Sequence, residues 1–278
     1  MTGTPVSALT IAGSDSGGGA GIQADLATFA AYGVHGATAL TAVTVQDTTG
    51  VHAVHPLPAD LVVAQSAAVL ADLPVAAVKT GMLAVAQTVR AVAALAARGR
   101  LPRLVIDPVL VSTSGHPLMS DEATEALRAD LLGHAMLLTP NVEEAGVLLR
   151  ASPAQTLAEQ CEQAAALRAL GPQAVVVTGG VDGPDRVDVL ATSAGVVALR
   201  APTIDTTNDH GTGCTFAAAA TAALALGATV DAAVASARDH VRGALLAAAG
   251  WSLGRGRGPV SHLARPAQDP QPHSPSQE

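Results

Sequence analysis

The sequence predicts an α/β fold in which helices surround a mostly parallel β-sheet. Short runs rich in Val, Leu and Ile alternate with longer helical patterns from one end of the chain to the other, which is typical of consecutive βαβ units. Of the 278 residues, 49% are hydrophobic and 14% are charged, so the chain can bury a sizeable core. Aromatic residues make up only 1%, and we therefore expect Ala, Val and Leu to fill that core.

The predicted elements follow one another without a dividing linker, so we expect residues 1–263 to form a single domain. Strands are predicted at 8–12, 37–45, 76–79, 104–107, 136–139, 174–178, 187–192 and 196–200. Helices are predicted at 21–32, 59–71, 86–98, 120–132, 143–149, 153–170, 213–226 and 230–249. The last two strands are expected to form an antiparallel hairpin near one edge of the sheet. Residues 264–278, rich in Pro, Gln and Ser, are expected to be a disordered tail.

Composition and charge argue against several classes of function. The net charge of −8 disfavours a nucleic-acid or anionic-membrane surface, which needs clustered Lys and Arg. The most apolar segment, residues 216–226, is too short to span a bilayer and is predicted to be a buried helix. No signal peptide is apparent at the start of the sequence. We therefore expect a cytoplasmic protein in which Cys161 and Cys214 are both free thiols.

A first glycine-rich segment, residues 13–25, follows a predicted strand and opens a predicted helix. It lacks the GxxxxGK[ST] pattern of a P-loop, and it lacks a GxGxxG with an acidic residue about twenty positions further on. The segment offers a mobile run of glycines followed by Gln23 and Asp25. Asp25 either stabilises the positive end of the helix or accepts a hydrogen bond from a small polar substrate.

A second glycine-rich segment, residues 210–215, stands directly before an alanine-rich helix. Glycines allow a tight turn and a close approach to a ligand, and the unpaired amides of a helix N-terminus attract anions such as phosphate. The alternative is a glycine-rich helix start that binds nothing.

Five residues that could contact a ligand close or directly follow predicted strands. In open α/β sheets, ligands bind beyond the carboxyl ends of the strands. The residues that we expect to meet at one cleft there are Gly13, Lys79, Asp107, Thr139 and Thr178.

Six segments occur together in the order found in a known enzyme family. They are Ala8-Leu9-Thr10-Ile11-Ala12-Gly13-Ser14-Asp15, Gly18-Gly19-Ala20-Gly21-Ile22-Gln23-Ala24-Asp25, Lys79-Thr80-Gly81-Met82-Leu83, Asp107-Pro108-Val109, Thr139-Pro140-Asn141 and His210-Gly211-Thr212-Gly213-Cys214-Thr215. Over residues 7–263 the chain resembles hydroxymethylpyrimidine/phosphomethylpyrimidine kinase, the thiamine-pathway branch of the ribokinase superfamily. The resemblance implies a three-layer α/β/α kinase, usually a homodimer, with ATP and Mg²⁺ as partners. It implies phosphorylation of 4-amino-5-hydroxymethyl-2-methylpyrimidine and then of its monophosphate.

The resemblance also implies a substrate pocket formed by Gly13, Asp25, Gln46, Met82 and Val109. Gln46 stands where the family reads the aminopyrimidine edge, for which an amide offers both a donor and an acceptor. The alternatives are an ordinary polar group at a strand end for Gln46 and core packing for Met82.

For the metal and the nucleotide, the resemblance points to two further groups of residues. Asp107 and Glu144 would act near hydrated Mg²⁺, an ion that keeps several waters. Asn141, Thr178 and His210 would contact the nucleotide. A helix cap at Asn141 followed by acidic residues would give the same Asn-x-x-Glu pattern for structural reasons alone.

The catalytic residues implied by the resemblance are Gly211, Thr212, Gly213 and Cys214, whose backbone amides would stabilise charge on the transferred phosphoryl group. A thiol at a helix N-terminus can have its pKa lowered from about 8.5 into the neutral range, so Cys214 could accept the proton of the substrate hydroxyl. It could equally be an oriented wall of the pocket, since phosphoryl transfer depends mostly on positioning and electrostatics.

Two positions depart from the family pattern. Thr178 stands where the family usually has lysine. Thr113 likewise stands where many relatives have lysine, and its loop, residues 112–116, is a candidate lid over the site. A hydroxyl can bind phosphate but cannot neutralise it.

Two rival functions remain open, because the same scaffold could serve a pyridoxal or pyridoxine kinase or a non-catalytic ligand-binding protein. Gln46 and Met82 favour the pyrimidine, and the intact 210–215 segment favours catalysis.

Overall fold

The computed structural model describes residues 3–112, 115 and 117–263. Its strands are β1 Ser7–Ser14, β2 His35–Asp47, β3 Gly50–Pro56, β4 Val75–Thr80, β5 Val105–Ile106, β6 Leu137–Leu138, β7 Ala174–Asp182, β8 Asp185–Thr192 and β9 Gly195–Pro202. Its helices are α1 Gly21–Ala31, α2 Ala59–Asp72, α3 Ala86–Ala97, α4 Asp121–Ala126, α5 Val142–Leu149, α6 Leu157–Ala169, α7 Thr212–Ala225 and α8 Val230–Ala248. A π turn at Leu127–Leu131 and a 3₁₀ turn at Leu132–His134 continue α4.

All nine strands form one sheet in the order β3-β2-β1-β4-β5-β6-β7-β8-β9. The six strands from β2 to β7 run parallel, while β3 at one edge and β8 and β9 at the other are antiparallel to their neighbours. The predicted α/β class and the predicted edge hairpin are therefore confirmed.

The sequence prediction missed β3, which pairs with β2 across a turn in which Asp47 opposes Gly50. This strand is only partly buried, so it carries no continuous apolar run that would mark a strand.

Helix α6 begins four residues later than predicted because Thr156 and Glu159 form a capping box at its start. Pro153 therefore lies outside the helix. The expected tail at 264–278 lies outside the described residues, as do three positions of the candidate lid loop.

Alternating side chains along the central strands enter different hydrophobic clusters, so both faces of the sheet are covered. On β4, Val78 belongs to the cluster under α2–α6, whereas Ala77 belongs to the cluster under α1 and α7. The chain thus has the three layers of an α/β/α fold, with α1, α7 and α8 together on one face.

The predicted buried helix at 213–226 is confirmed as α7, in which every residue from Thr215 to Ala225 is buried. Its small alanine side chains let the helix pack closely over the strands β1, β4 and β5. This packing brings the N-terminus of α7 to the carboxyl ends of those strands. Among the described residues, no helix is long and apolar enough to cross a bilayer.

Candidate active site

A buried ion-pair network lies at the carboxyl ends of β4 and β5. The Nζ atom of Lys79 is 2.9 Å from Oδ1 of Asp25 and 3.6 Å from Oδ2 of Asp107. Thr10 on β1 donates a 2.6 Å hydrogen bond to Oδ2 of Asp25. The structure thus brings residues of β1, α1, β4 and the end of β5 together, and the prediction that Lys79 and Asp107 meet at their strand ends is met.

Burial and the neighbouring charges together set the pKa values of the residues in this network. Burial disfavours the charged ammonium, but the carboxylate of Asp25, with Cys214 and Asp107, outweighs it and raises the pKa of Lys79. Burial raises the pKa of Asp25 and of Asp107, and Lys79 opposes both shifts. Lys79 is completely buried and engaged by two carboxylates, so its charge serves to hold them in place. Lys79 is therefore not available to supply the positive charge that the family's lysines usually provide at positions 178 and 113.

Asp25 is also completely buried, and its carboxylate faces Lys79 and Thr10. It lies beyond the first turn of α1, so the interpretation that it stabilises the start of the helix is wrong. Direct contact with a substrate would require its present contacts to change, and that role stays a prediction.

Glu144 lies close to this network and shares a capping box with Asn141 at the start of α5. The amide of Glu144 donates to Oδ1 of Asn141 at 2.8 Å, and Oε2 of Glu144 accepts from the amide of Asn141 at 3.0 Å. Oε1 accepts from the amide of Leu110 at 3.2 Å. Asn141 therefore does cap the helix, as the structural explanation of the Asn-x-x-Glu pattern predicts, and this capping box holds the carboxylate of Glu144 in a fixed position.

The carboxyls of Asp107 and Glu144 fit a cation between or beside them. Burial, with the negative charge of Asp107, raises the pKa of Glu144 to about 8, which is the effect that a nearby cation would remove. Oδ2 of Asp107 is buried and has no hydrogen-bond partner among the described residues. No three His, Cys, Asp or Glu side chains in the described part of the chain lie close enough to ligate a metal by themselves. An ion at Asp107 and Glu144 would therefore take further ligands from water or phosphate, as Mg²⁺ commonly does.

The first glycine-rich segment is closed around its own carboxylate, that of Asp15. Oδ1 accepts from the amide of Gly17 at 2.8 Å, and Oδ2 accepts from those of Gly19 at 3.1 Å and Ala20 at 2.9 Å. Nε2 of His210 lies 2.9 Å from the same Oδ2. The expected mobile glycine run is thus an ordered loop whose amides are already satisfied.

The second glycine-rich segment has an open helix N-terminus. Gly211 has φ +84°, a left-handed conformation that favours glycine, and a side chain there would collide with the carbonyl oxygen of Gly19. The amide of Thr212 is bonded to the carbonyl of Asp209 at 3.2 Å. Within the described residues, no acceptor contacts the amides of Gly213 and Cys214. These two amides and the helix dipole are available to an anion.

The Cys214 thiol, in the second glycine-rich segment, lies near the carboxylate of Asp107 and the amide of Gly21. Burial raises the pKa of this thiol to about 12; Lys79 lowers it, while Asp107 and Asp25 add to the rise. The pKa lowering considered for a thiol at a helix N-terminus is therefore wrong for Cys214, which is neutral at physiological pH.

Three of the predicted substrate-pocket residues, Gly13, Met82 and Val109, lie close together near the end of β1. A side chain at Gly13 would collide with Cε of Met82, and Val109 packs against the cluster that contains Met82. Val109 has φ +44°, which is strained for a β-branched residue and typical of functional sites.

Gln46, the fourth residue predicted for this pocket, contacts His210. Its Nε2 lies 3.3 Å from Nε2 of His210. Both side chains line a cavity of about 200 Å³ that is also bordered by Ser112 and Arg257. His210 therefore lies beside the predicted pyrimidine reader, and its assignment to the nucleotide stays a prediction.

The two other predicted nucleotide contacts are adjacent. Asn141 and Thr178 form a parallel bridge, and the amide of Thr178 donates to the carbonyl of Pro140 at 2.9 Å. Arg186, one strand away on β8, donates from Nη1 to the carbonyl of Gly179 at 3.2 Å. A positive charge therefore lies near the position where the family usually has lysine.

Sequence reasoning missed two residues that organise this region, Asp15 and His262. An Asp followed by glycines is a common signal of a carboxylate that binds its own backbone, and it could have identified Asp15. His262 lies far along the chain from the loop that it contacts, and no local pattern signals it.

This architecture, with a buried Lys–Asp network beside an open helix N-terminus, is that of a ribokinase-like phosphotransferase. The sequence profile described as phosphomethylpyrimidine kinase matches residues 15–261. The chain therefore belongs to the phosphomethylpyrimidine kinase family, and the resemblance seen in its motifs is confirmed.

Individual relatives agree with this assignment. The chain is 46% identical to a hydroxymethylpyrimidine/phosphomethylpyrimidine kinase of Rhizobium meliloti, over 93% of this chain and 97% of the relative. Among solved structures, the pyridoxal kinase of Bacillus subtilis in an ADP complex superposes with a TM-score of 0.86 at 39% identity, covering 94% of this chain and 98% of that one. A phosphomethylpyrimidine kinase from Clostridium difficile superposes with a TM-score of 0.75 at 35% identity, covering 85% and 98%.

Proposed function

We propose that the protein uses ATP to phosphorylate 4-amino-5-hydroxymethyl-2-methylpyrimidine and then its monophosphate, in thiamine biosynthesis. The observation that carries this proposal is the pair of open amides at Gly213 and Cys214, next to the Asp107 carboxylate, in a chain of this family. Phosphoryl transfer needs little covalent help from a protein and depends on placing positive charge and amides around the moving group.

The second glycine-rich segment would hold the transferred phosphoryl group. Gly211 turns the backbone, Thr212 anchors that turn to Asp209, and Gly213 and Cys214 present their amides. Because these amides are fixed by the fold before the substrate arrives, they need no reorganisation during the reaction.

Mg²⁺ would neutralise the phosphate charge, and Asp107 and Glu144 are the residues that would hold it, directly or through water. Asn141, which fixes Glu144, and Thr178 beside it would contact the nucleotide. His210 would bridge this region to the substrate, since it contacts Gln46.

The role that we propose for Cys214 is a positioned neutral thiol that contacts the substrate hydroxyl region. A thiol with a pKa raised to about 12 is almost entirely protonated at neutral pH and is a poor proton acceptor. Its position near Gly21 and Asp107 supports a function in shaping the pocket wall.

The pyrimidine ring would lie against Gly13, Met82 and Val109, with its polar edge towards Gln46. The absence of a side chain at Gly13 lets Met82 approach the backbone closely, so both residues can form one wall of the pocket. The homodimer expected from the resemblance stays a prediction.

The direct test is a coupled ADP-release assay with ATP and Mg²⁺ that compares hydroxymethylpyrimidine with pyridoxine and identifies the products by mass. We expect pyrimidine mono- and diphosphate. The likeness to the Bacillus subtilis pyridoxal kinase makes pyridoxine the relevant competitor, and a clear preference for it would replace the proposed substrate. Ligand binding without any turnover would favour a non-catalytic protein.

The Gln46→Ala variant tests the substrate pocket. We expect KM for the pyrimidine to rise about tenfold or more, because a site built to hydrogen-bond a ring edge loses that contact, while KM for ATP changes little. Gln155→Ala, an exposed glutamine near α6, is the control. An equal rise in both KM values would contradict the assignment of Gln46 to the pyrimidine.

A further inference from the structure

A segment near the end of the described chain, residues 254–262, contacts both glycine-rich segments. We call these residues the C-terminal strap. The amide of His210 donates to the carbonyl of Gly258 and the amide of Val260 donates to the carbonyl of His210, both at 3.0 Å. The amide of Ser261 donates to Ala244 of α8 at 3.2 Å. The strap is therefore bonded to the second glycine-rich segment on one side and to α8 on the other.

The strap ends in His262, whose ring reaches the first glycine-rich segment. Its Nε2 lies 3.0 Å from the carbonyl oxygen of Gly19. A carbonyl oxygen can only accept, so Nε2 carries the hydrogen and donates. Burial lowers the pKa of His262 despite its bond to Gly19, so the ring is neutral with its single hydrogen on Nε2.

The Gly19 carbonyl that His262 holds is a point of close contact between the two glycine-rich segments. A β-carbon at Gly211 would be only 1.8 Å from this oxygen, so the two backbones touch here. Two residues further on, the amide of Gly21 lies near the Cys214 thiol. A shift of the loop at Gly19 would therefore disturb both Gly211 and the surroundings of Cys214.

We propose that His262 is a positioning residue, which through its hydrogen bond to Gly19 holds the first glycine-rich segment against the N-terminus of α7 and so fixes Gly211 and Cys214. Asp15 fixes the loop from within and also contacts His210 of the second glycine-rich segment. His262 adds a separate restraint at the carbonyl of Gly19. Among the described residues of the strap, only His262 forms a hydrogen bond to Gly19. The effect on turnover rests on the proposed function, but the effect on Cys214 does not.

The test compares His262→Leu, which removes the donor, with His262→Gln, whose Nε2 can replace the imidazole Nε2–H. Thiol alkylation followed by peptide mass mapping measures the labelling rate of Cys214, with Cys161 in the same molecule as the reference thiol. We expect His262→Leu to raise the ratio of Cys214 to Cys161 labelling by about five- to tenfold, the factor expected for the loss of one hydrogen bond. His262→Gln should restore most of the wild-type ratio.

Leu263→Ala is the matched control, because Leu263 follows His262 directly and its side chain is 84% exposed. Turnover provides the second readout: kcat should fall at least tenfold in His262→Leu while KM for ATP changes little, since a small displacement of the amides costs more in the transition state than in binding. Thermal unfolding of each variant shows whether the fold is intact.

Two results would overturn the proposal. One is a Cys214 to Cys161 labelling ratio in His262→Leu equal to that of Leu263→Ala. The other is a loss in His262→Gln as large as that in His262→Leu, which would indicate that ring packing and not the hydrogen bond is required. If the labelling ratio rises but no variant, including the wild type, shows turnover, the positioning role stands and the proposed function fails.

Discussion

The two glycine-rich segments look alike in sequence and have different chemistry in the structure. In the first, the Asp15 carboxylate takes up the amides of Gly17, Gly19 and Ala20, so the loop binds itself. In the second, the amides of Gly213 and Cys214 have no acceptor among the described residues. An acidic side chain therefore occupies the loop amides that precede α1, whereas the first-turn amides of α7 can receive an anion.

The contact between the two segments explains why glycine is needed in each of them. Gly19 would place a side chain against His210, and Gly211 would place one against the backbone of Gly19. The first glycine-rich segment thus packs directly against the second and limits where its backbone can lie. Three predictions test this division of roles.

The largest effect is expected for Gly211→Ala, because its β-carbon would meet a backbone oxygen and its φ is +84°. We expect a loss of about 3 kcal/mol or more in the free energy of unfolding, together with loss of kinase activity. Denaturant unfolding and the ADP-release assay measure the two effects.

Gly227→Ala separates the two causes, since Gly227 has φ +95° at the other end of α7 but open space around it. It should lose only the backbone term of about 1–2 kcal/mol. An equal loss in both variants would mean that the two segments do not press against each other.

A smaller effect is expected for Asp15→Ala, which leaves three backbone amides of the first segment without their acceptor. We expect a loss of about 2–3 kcal/mol at neutral pH. Asp47→Ala provides the comparison, because Asp47 binds Thr49 in an exposed turn, and it should cost much less. A similar loss in both would remove the special role of Asp15.

The loss in Asp15→Ala should depend on pH in a defined direction. Burial favours the neutral acid, but the contacts with His210 and the amides outweigh it and keep the pKa of Asp15 below its ordinary 3.8. Because the pKa in the folded state is depressed, the carboxylate stabilises the fold above pH 3.8, and this stabilisation is lost as the pH falls through the lowered pKa. The difference between wild type and variant should therefore shrink as the pH falls below 3.8 in denaturant titrations.

The smallest effect is expected for Cys214→Ser. If Cys214 is a neutral wall of the open segment, kcat should fall less than about tenfold, whereas the loss of a general base costs about 10²–10⁴-fold. Cys161→Ser, on α6, is the control thiol. A drop of a hundredfold or more in kcat with ATP binding intact would restore Cys214 as the base.

Much of the fold could be predicted from the sequence because hydrophobic periodicity and strand-end polar residues are local signals. The alternation of strands and helices indicated the parallel sheet, and the positions of Lys79 and Asp107 at the ends of their predicted strands indicated the edge where they meet. The strand β3 escaped detection because its partly exposed residues lack the apolar run that burial imposes.

What the sequence determined by itself is the α/β class and the family, whereas the site residues that it indicates stay predictions. The tertiary structure decided their roles: burial raised the pKa of the Cys214 thiol, Lys79 became the partner of Asp25 and Asp107, and His262 reached Gly19 from 243 positions away. The physical reason is that pKa, charge pairing and the donor–acceptor state of a backbone amide depend on neighbours in space. Sequence patterns report only neighbours along the chain.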